Sequence, residues 1–128
     1  MSGNNKETGS IGWIDLTIDN AEELKNFYSE VVGWKSENVS MGNYNDFNMI
    51  SPSTGNPVAG ICHKRGGNSE TPSQWMIYII VENIEESIKR STELGGKVVL
   101  GIKDMGDYGK YCIIQDPVNA VCALFQKK

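Results

Sequence analysis

The sequence predicts an α+β fold made of two βαβββ modules in tandem. Three observations support this prediction. The chain is similar to itself at an offset of 63 residues, which places residue 77 on residue 14. Each copy opens with a strand pattern followed by an amphipathic helix pattern, and three short strand patterns follow each helix.

The repeat extends along most of the chain and includes the residues that punctuate its secondary structure. Asparagines stand where each helix begins, and glycines stand where each helix ends. Identical pairs at this offset include Ile14 and Ile77, Asn20 and Asn83, Glu23 and Glu86, and Gly33 and Gly96.

The first module begins with a strand over 11–18, rich in β-branched and aromatic residues. Asn20 is the expected N-cap of the following helix, with Glu23 placed to complete a capping box, and Gly33 is the expected stop. Strands are then predicted over about 35–41, 44–50 and 57–64.

The second module repeats this order. Its first strand covers 74–81, and Asn83 with Glu86 predicts the start of the helix. The later strands are expected at about 97–103, 110–115 and 119–126. We therefore divide the chain into a disordered leader (1–10), a first module (11–64), a linker (65–73) and a second module (74–128) that together form one structural domain.

Composition excludes several classes of protein. Of the 128 residues, 39% are hydrophobic and 22% charged, and no apolar stretch is long enough for a membrane span. Sixteen acidic residues outnumber twelve scattered basic ones, so a nucleic-acid partner is not expected. Three cysteines without CxxC spacing favour a reducing compartment, and we expect the protein in the cytoplasm.

The opening D-L-T-I-D-N-A-E-E-L-K-N-F-Y-S-E-V-V-G-W and the segment from Gly109-Lys110-Tyr111 to Asp116-Pro117, together with the tandem βαβββ order, resemble the vicinal oxygen chelate superfamily. That group includes glyoxalase I, extradiol dioxygenases, methylmalonyl-CoA epimerase and bleomycin resistance proteins. The resemblance implies a glyoxalase-like fold whose curved mixed sheet surrounds a cleft, and a homodimer. One fold hosts many activities, so it specifies the fold better than the chemistry.

In the metal-dependent members that the chain resembles, metal ligands lie near the middle of the first and last strands of each module. Carried over one by one, these positions fall on Trp13, Gly60, Met76 and Ala123. None of the four supplies the imidazole, thiolate or carboxylate that a Zn, Fe, Mn or Mg ion needs. The sequence therefore predicts no metal and no other cofactor.

Strand alternation identifies what would line the cleft instead. Residues two apart share one face of a strand, which extends the four positions along each strand. The predicted ligand-binding residues are Trp13, Val58, Gly60, Cys62, Met76, Val121, Ala123 and Phe125. An apolar, aromatic lining of this kind favours a small, largely hydrophobic organic molecule.

Asp15 and Tyr78 are the polar residues on the same faces, and we take them as candidate catalytic residues. Asp15 would be a general base and Tyr78 a donor to a developing oxyanion. The alternative is a rim carboxylate and a packed tyrosine. His63, the single histidine, alternates with Cys62 and is expected on the face away from the cleft.

Three functions follow. The first is binding of a small organic molecule in a metal-free cleft. The second is a metal-independent lyase or isomerase that acts on a carbonyl compound with Asp15 as base. The third is a non-catalytic interaction subunit with a degenerate cleft.

Overall fold

The computed structural model describes residues 7–128 and confirms the βαβββ order in both halves of the chain. The first half contains β1 (Ile11–Ile18), α1 (Ala21–Val32), β2 (Lys35–Ser40), β3 (Asn45–Ile50) and β4 (Pro57–His63). The second half contains β5 (Trp75–Ile80), α2 (Ile84–Glu93), β6 (Lys97–Asp104), β7 (Gly109–Gln115) and β8 (Val121–Lys127). Neither α1 nor α2 is long and apolar enough to cross a membrane, and the described residues form no other helix that could do so.

The two halves have the same strand order. The strands of the first half lie in the order β2-β3-β4-β1, and those of the second half lie in the equivalent order β6-β7-β8-β5. In each half the first strand pairs in parallel with the last, and the remaining pairs are antiparallel. Asp15 lies opposite Gly60 and Tyr78 opposite Ala123, so the sequence repeat is also a repeat of register.

The residues cluster into two compact units with a boundary inside β1. One unit is Ile14–Trp75, and the other combines Met76–Lys128 with the described residues up to Trp13. Gly9 donates its N–H to the carbonyl of Ile80 at 2.7 Å, and the N–H of Ile80 donates to Ser10 at 2.9 Å. The end of the predicted leader is therefore hydrogen-bonded, while residues 1–6 lie outside the described part of the chain.

The core of the first unit lies between α1 and its sheet. It consists of Ala21, Phe47, Met49, Ala59 and Ile61, with three aromatic residues packed beside it. These three are Tyr28, Trp34 and Trp75, and the indole N–H of Trp75 donates to the Tyr28 hydroxyl at 3.0 Å.

The second unit has a cluster on each face of its strands. Ile84, Cys112 and Leu124 form the cluster that includes α2. Since strand side chains alternate, their neighbours Ile113 and Ala123 belong to the opposite face, where the larger cluster lies.

The helices begin at the predicted N-cap residues and end at or next to the predicted glycines. Asn83 accepts a hydrogen bond from the Glu86 N–H at 3.0 Å, and Gly33 ends α1 in the left-handed conformation with φ of +86°. Leu94 ends α2 next to Gly95, which also has a positive φ. Asn20 is the N-cap residue of α1 as predicted, but its side chain makes no capping hydrogen bond, so the expected capping box does not form.

The predicted linker contains ordered backbone structure. Gly66–Asn68 forms a short 3-10 turn. Asn68 closes it by accepting from the Arg65 N–H at 2.7 Å and by donating to the His63 carbonyl at 3.0 Å. This segment is therefore fastened to the end of β4.

Candidate functional site

The second unit contains a continuous aromatic and apolar cluster on the face that carries Met76 and Ala123. We call it the apolar wall, and its side chains are those of Trp13, Met76, Tyr78, Val99, Leu100, Tyr111, Ile113, Val121, Ala123 and Phe125. Met76 and Ala123 are fully buried, whereas Trp13, Tyr111 and Val121 are partly exposed. A molecule in contact with the wall would meet these exposed members first.

The wall is built by strand register. Tyr78 is opposite Ala123 in the parallel pair of β5 and β8, and Tyr111 is opposite Phe125 in the antiparallel pair of β7 and β8. The rings of Tyr78 and Tyr111 have centroids 5.8 Å apart and planes inclined by 56°. This spacing is within the range of a favourable aromatic pair.

The first unit presents a more polar face at the equivalent positions. Asp15 is opposite Gly60, and the next pair on that face is Thr17 with Cys62. Thr17 is buried, and Asp15 and Cys62 are partly exposed. Val58, which is on β4 with Gly60 and Cys62, is 42% exposed.

Two carboxylates act on the Cys62 thiol. Burial raises the pKa of Cys62 most, and the negative charges of Asp15 and Asp46 raise this pKa further. Asp46 also accepts a hydrogen bond from the thiol. A thiol in these surroundings stays protonated at neutral pH and is a poor nucleophile.

The other two cysteines are also kept protonated. Burial raises the pKa of Cys112 to about 11. The pKa of Cys122 is raised as well, first by burial and then by the charge of Asp116. All three thiols are free of disulfide bonds, so the cysteines supply neither a crosslink nor an activated nucleophile.

The structure places the predicted site residues in two groups. Trp13, Met76, Tyr78, Val121, Ala123 and Phe125 belong to the apolar wall, and Asp15, Val58, Gly60 and Cys62 belong to the other unit. Sequence reasoning missed Tyr111 and Asp46. Tyr111 alternates with Ile113 on β7, a pattern that could have placed it on the wall.

The residues at the family's metal positions do not fit a divalent ion. Trp13, Gly60, Met76 and Ala123 include no nitrogen, thiolate or oxygen donor of the kind that Zn, Fe, Mn or Mg takes from side chains. Across residues 7–128, no group of three or more His, Cys, Asp and Glu side chains is arranged to hold a metal.

Comparison with known families gives a match over residues 10–121 to the Glyoxalase/Bleomycin resistance protein/Dioxygenase superfamily. The chain belongs to this superfamily. The match covers both βαβββ modules except for most of β8, and it confirms the resemblance found in the sequence.

Curated relatives are longer than this chain. "Putative glyoxylase CFP32" of Mycobacterium tuberculosis is 28% identical over 119 residues, which are 92% of this chain and 46% of the relative. The anthracycline biosynthesis protein DnrV of Streptomyces peucetius is 27% identical over 90 residues, 70% of this chain and 32% of the relative. The chain thus spans less than half the length of these curated relatives.

Solved structures share the fold at low sequence identity. A protein described as NAD-dependent benzaldehyde dehydrogenase from Legionella pneumophila aligns with a TM-score of 0.60 at 12% identity, covering 91% of this chain and 98% of that one. Methylmalonyl-CoA epimerase from Mycobacterium tuberculosis aligns with a TM-score of 0.57 at 8% identity, covering 97% and 91%. At this identity the likeness establishes the glyoxalase-like fold alone.

Proposed function

We propose that this superfamily member binds a small, largely hydrophobic organic molecule without the help of a bound divalent ion. One observation carries the proposal. The four positions at which metal-dependent relatives would place ligands hold Trp13, Gly60, Met76 and Ala123, and three of these four belong to the apolar wall.

The wall suits a flat or apolar ligand for physical reasons. Partly exposed Trp13 and Tyr111 offer aromatic faces, and Met76 supplies a polarizable thioether behind them. Removing apolar surface from water contributes about 25 cal/mol per Å². A ligand that buries about 150 Å² against the wall would therefore gain about 4 kcal/mol before its ordering costs are counted.

The direct test uses protein stripped of metal with a chelator and checked by elemental analysis. A library of neutral aromatic and aliphatic compounds is screened for a rise in melting temperature, and hits are titrated calorimetrically. We expect at least one class of hydrophobic compound to bind with a Kd that the chelator leaves unchanged. A Kd that weakens after stripping and recovers with zinc, iron or manganese would contradict the proposal.

A matched pair of variants tests whether the wall is the site. Trp13→Ala removes a partly exposed ring of the wall, and Tyr108→Ala removes an exposed ring of the same unit outside it. We expect the first variant to weaken binding by at least about tenfold, or about 1.4 kcal/mol, and the second to leave Kd unchanged. Equal effects would place the ligand elsewhere.

A second candidate is a metal-independent lyase or isomerase acting on a carbonyl compound. Its support is Asp15, a partly buried carboxylate whose charge acts on the neighbouring Cys62 thiol. Asp15 would be the base and Tyr78 the donor to the oxyanion. Asp15→Asn should then abolish turnover while neutral-ligand affinity stays within about tenfold.

The remaining expectations concern assembly and location. We propose a homodimer in the cytoplasm, supported by the family resemblance and by the three free thiols, which suit a reducing compartment. Light scattering coupled to size exclusion measures the mass directly. If no compound in the library raises the melting temperature, an interaction subunit with a degenerate cleft becomes the better description.

A further inference from the structure

We propose a second binding site, for a small organic monocarboxylate, in a depression of the first unit. Its volume is about 360 Å³. We call it the His63 depression, and its lining residues are Glu22, Lys25, Asn38, Tyr44, Asn45, Phe47 and His63. It shares no residue with the apolar wall and does not depend on the function proposed for that surface.

The imidazole of His63 is oriented by a carboxylate. Asp46 accepts a hydrogen bond from the backbone N–H of His63 at 2.8 Å, and the same oxygen lies 3.2 Å from Nδ1 of the ring. Since a carboxylate only accepts, Nδ1 carries a proton toward Asp46, and Nε2, the other ring nitrogen, donates to a ligand's carboxylate when it also carries a proton. Asp46 is 8% exposed and is not a lining residue, so it supports the imidazole from behind the depression.

Aromatic rings hold the imidazole from two further sides. The Tyr44 ring meets it edge to face with centroids 5.3 Å apart, and the Phe47 ring lies 6.1 Å away. A ring held by one carboxylate and two aromatic neighbours loses little further freedom when a ligand binds. The site is therefore largely formed before a ligand arrives.

Lys25 supplies the second cation. Its ammonium lies 4.6 Å from the centre of the Phe47 ring and 2.8 Å from the carboxylate of Glu22, and only 19% of its side chain is exposed. An ammonium has three donors, and Glu22 uses one of them. Donors therefore remain for an acceptor in the depression.

The charges favour a monoanion. Glu22 offsets Lys25, Asp46 offsets His63 when the imidazole is protonated, and Arg65 adds a positive charge at the edge, with its guanidinium 4.0 Å from the centre of the Tyr44 ring. With the imidazole protonated on both nitrogens, these groups sum to one positive charge, which matches a carboxylate better than a doubly charged phosphate. Polar amides and aromatic rings together suit a carboxylate attached to an organic group.

The single histidine makes the test direct, because its imidazole gives one set of signals in an NMR spectrum. Full-length protein is titrated with benzoate, with benzamide as the neutral analogue and inorganic phosphate as the dianionic competitor. We expect benzoate to shift the Nε2 signal of His63 in a saturable way and to bind at least fivefold more tightly than either alternative.

Other titratable groups line the depression or contact its lining residues, so variants separate their contributions. Glu22 and Lys25 of α1 and Tyr44 before β3 line it, Asp46 of β3 contacts His63, and Arg65 after β4 contacts the Tyr44 ring. His63→Gln and Lys25→Met should each weaken benzoate binding about tenfold. Lys97→Met, at an exposed lysine of the other unit, should leave the affinity for benzoate unchanged.

Each result decides the proposal. Melting temperatures of the variants first establish that they are folded. No shift of the His63 signal by benzoate, equal binding of benzamide, or tighter binding of phosphate would each overturn a monocarboxylate site. Because Trp13→Ala leaves this depression intact, loss of library binding at the apolar wall would not affect the benzoate titration.

Discussion

Replacing Gly109 by alanine tests the strand pairing that builds the apolar wall. Gly109 begins β7 with φ of +133°, a conformation that residues with a Cβ rarely adopt. A Cβ built there would overlap the carbonyl oxygen of Gln126 and approach the Lys127 Cα to 3.0 Å. Both contacts are with backbone of β8, so no side chain can move aside.

The cost follows from two terms. Holding a non-glycine residue in a sparsely populated region costs about 1–3 kcal/mol. Relieving the overlap requires β7 and β8 to separate at this end, which weakens one or two backbone hydrogen bonds at about 1 kcal/mol each. We therefore expect a loss of about 3 kcal/mol, which corresponds to a fall of roughly 10 °C in melting temperature for a domain of this size.

Gly101→Ala is the matched control. A Cβ at Gly101 would meet nothing within 4 Å, and its backbone has no positive φ. Thermal unfolding followed by circular dichroism compares the two variants with the wild type. A shift of less than 3 °C for Gly109→Ala, or equal shifts for both variants, would refute this reading of the β7–β8 pairing.

Three further predictions use the same structure. Raising the pH from 8 to 10 should lower the free energy of unfolding by about 1 kcal/mol through Cys112, because its folded pKa of about 11 exceeds the ordinary value of 9.0. That stabilisation is complete below pH 9 and declines toward pH 11, so urea unfolding of Cys112→Ala should lose less than the wild type over this range. Asp15→Asn should lower the pKa of Cys62 and speed its alkylation by iodoacetamide, as measured by mass spectrometry; an unchanged rate would count against the proximity of the two groups. Ile61→Ala should cost about 2–5 kcal/mol in urea unfolding, while Val58→Ala, at an exposed position of the same strand, should cost far less.

The strands and helices could be predicted because both halves of the sequence have the same residue types where the helices begin and end. The predicted strand at 57–64 is observed as Pro57–His63, and that at 97–103 as Lys97–Asp104. Both modules carry a strand, an amphipathic helix and three strands, and two independent copies of a pattern reduce the ambiguity of either one.

The cap at Asn20 shows where local rules fail. Asn20 and Asn83 are equivalent in the repeat and have the same residue types around them, yet only Asn83 makes the side-chain hydrogen bond. Asn83 has extended backbone, whereas Asn20 has φ of −106° and ψ of 52°, outside the usual N-cap geometry. The path of the chain between β1 and α1 decides this, and no single residue specifies it.

The carboxylate beside His63 could not be found from sequence alone. Asp46 and His63 are 17 residues apart, and alternation places them on opposite faces of their strands. They meet because β4 ends at His63, where the backbone N–H turns to Asp46 instead of continuing the ladder. Strand ends are where pattern rules hold least, and here the contact between Asp46 and His63 falls at such an end.

The matching register of Asp15 with Gly60 and of Tyr78 with Ala123 shows how much the backbone tolerates at these sites. The two halves have the same backbone pairing although the side chains at these four sites differ. One half carries a carboxylate and the other a phenol at equivalent positions of the same scaffold. New chemistry can enter such a protein one residue at a time, in either half, without any change in how the chain folds.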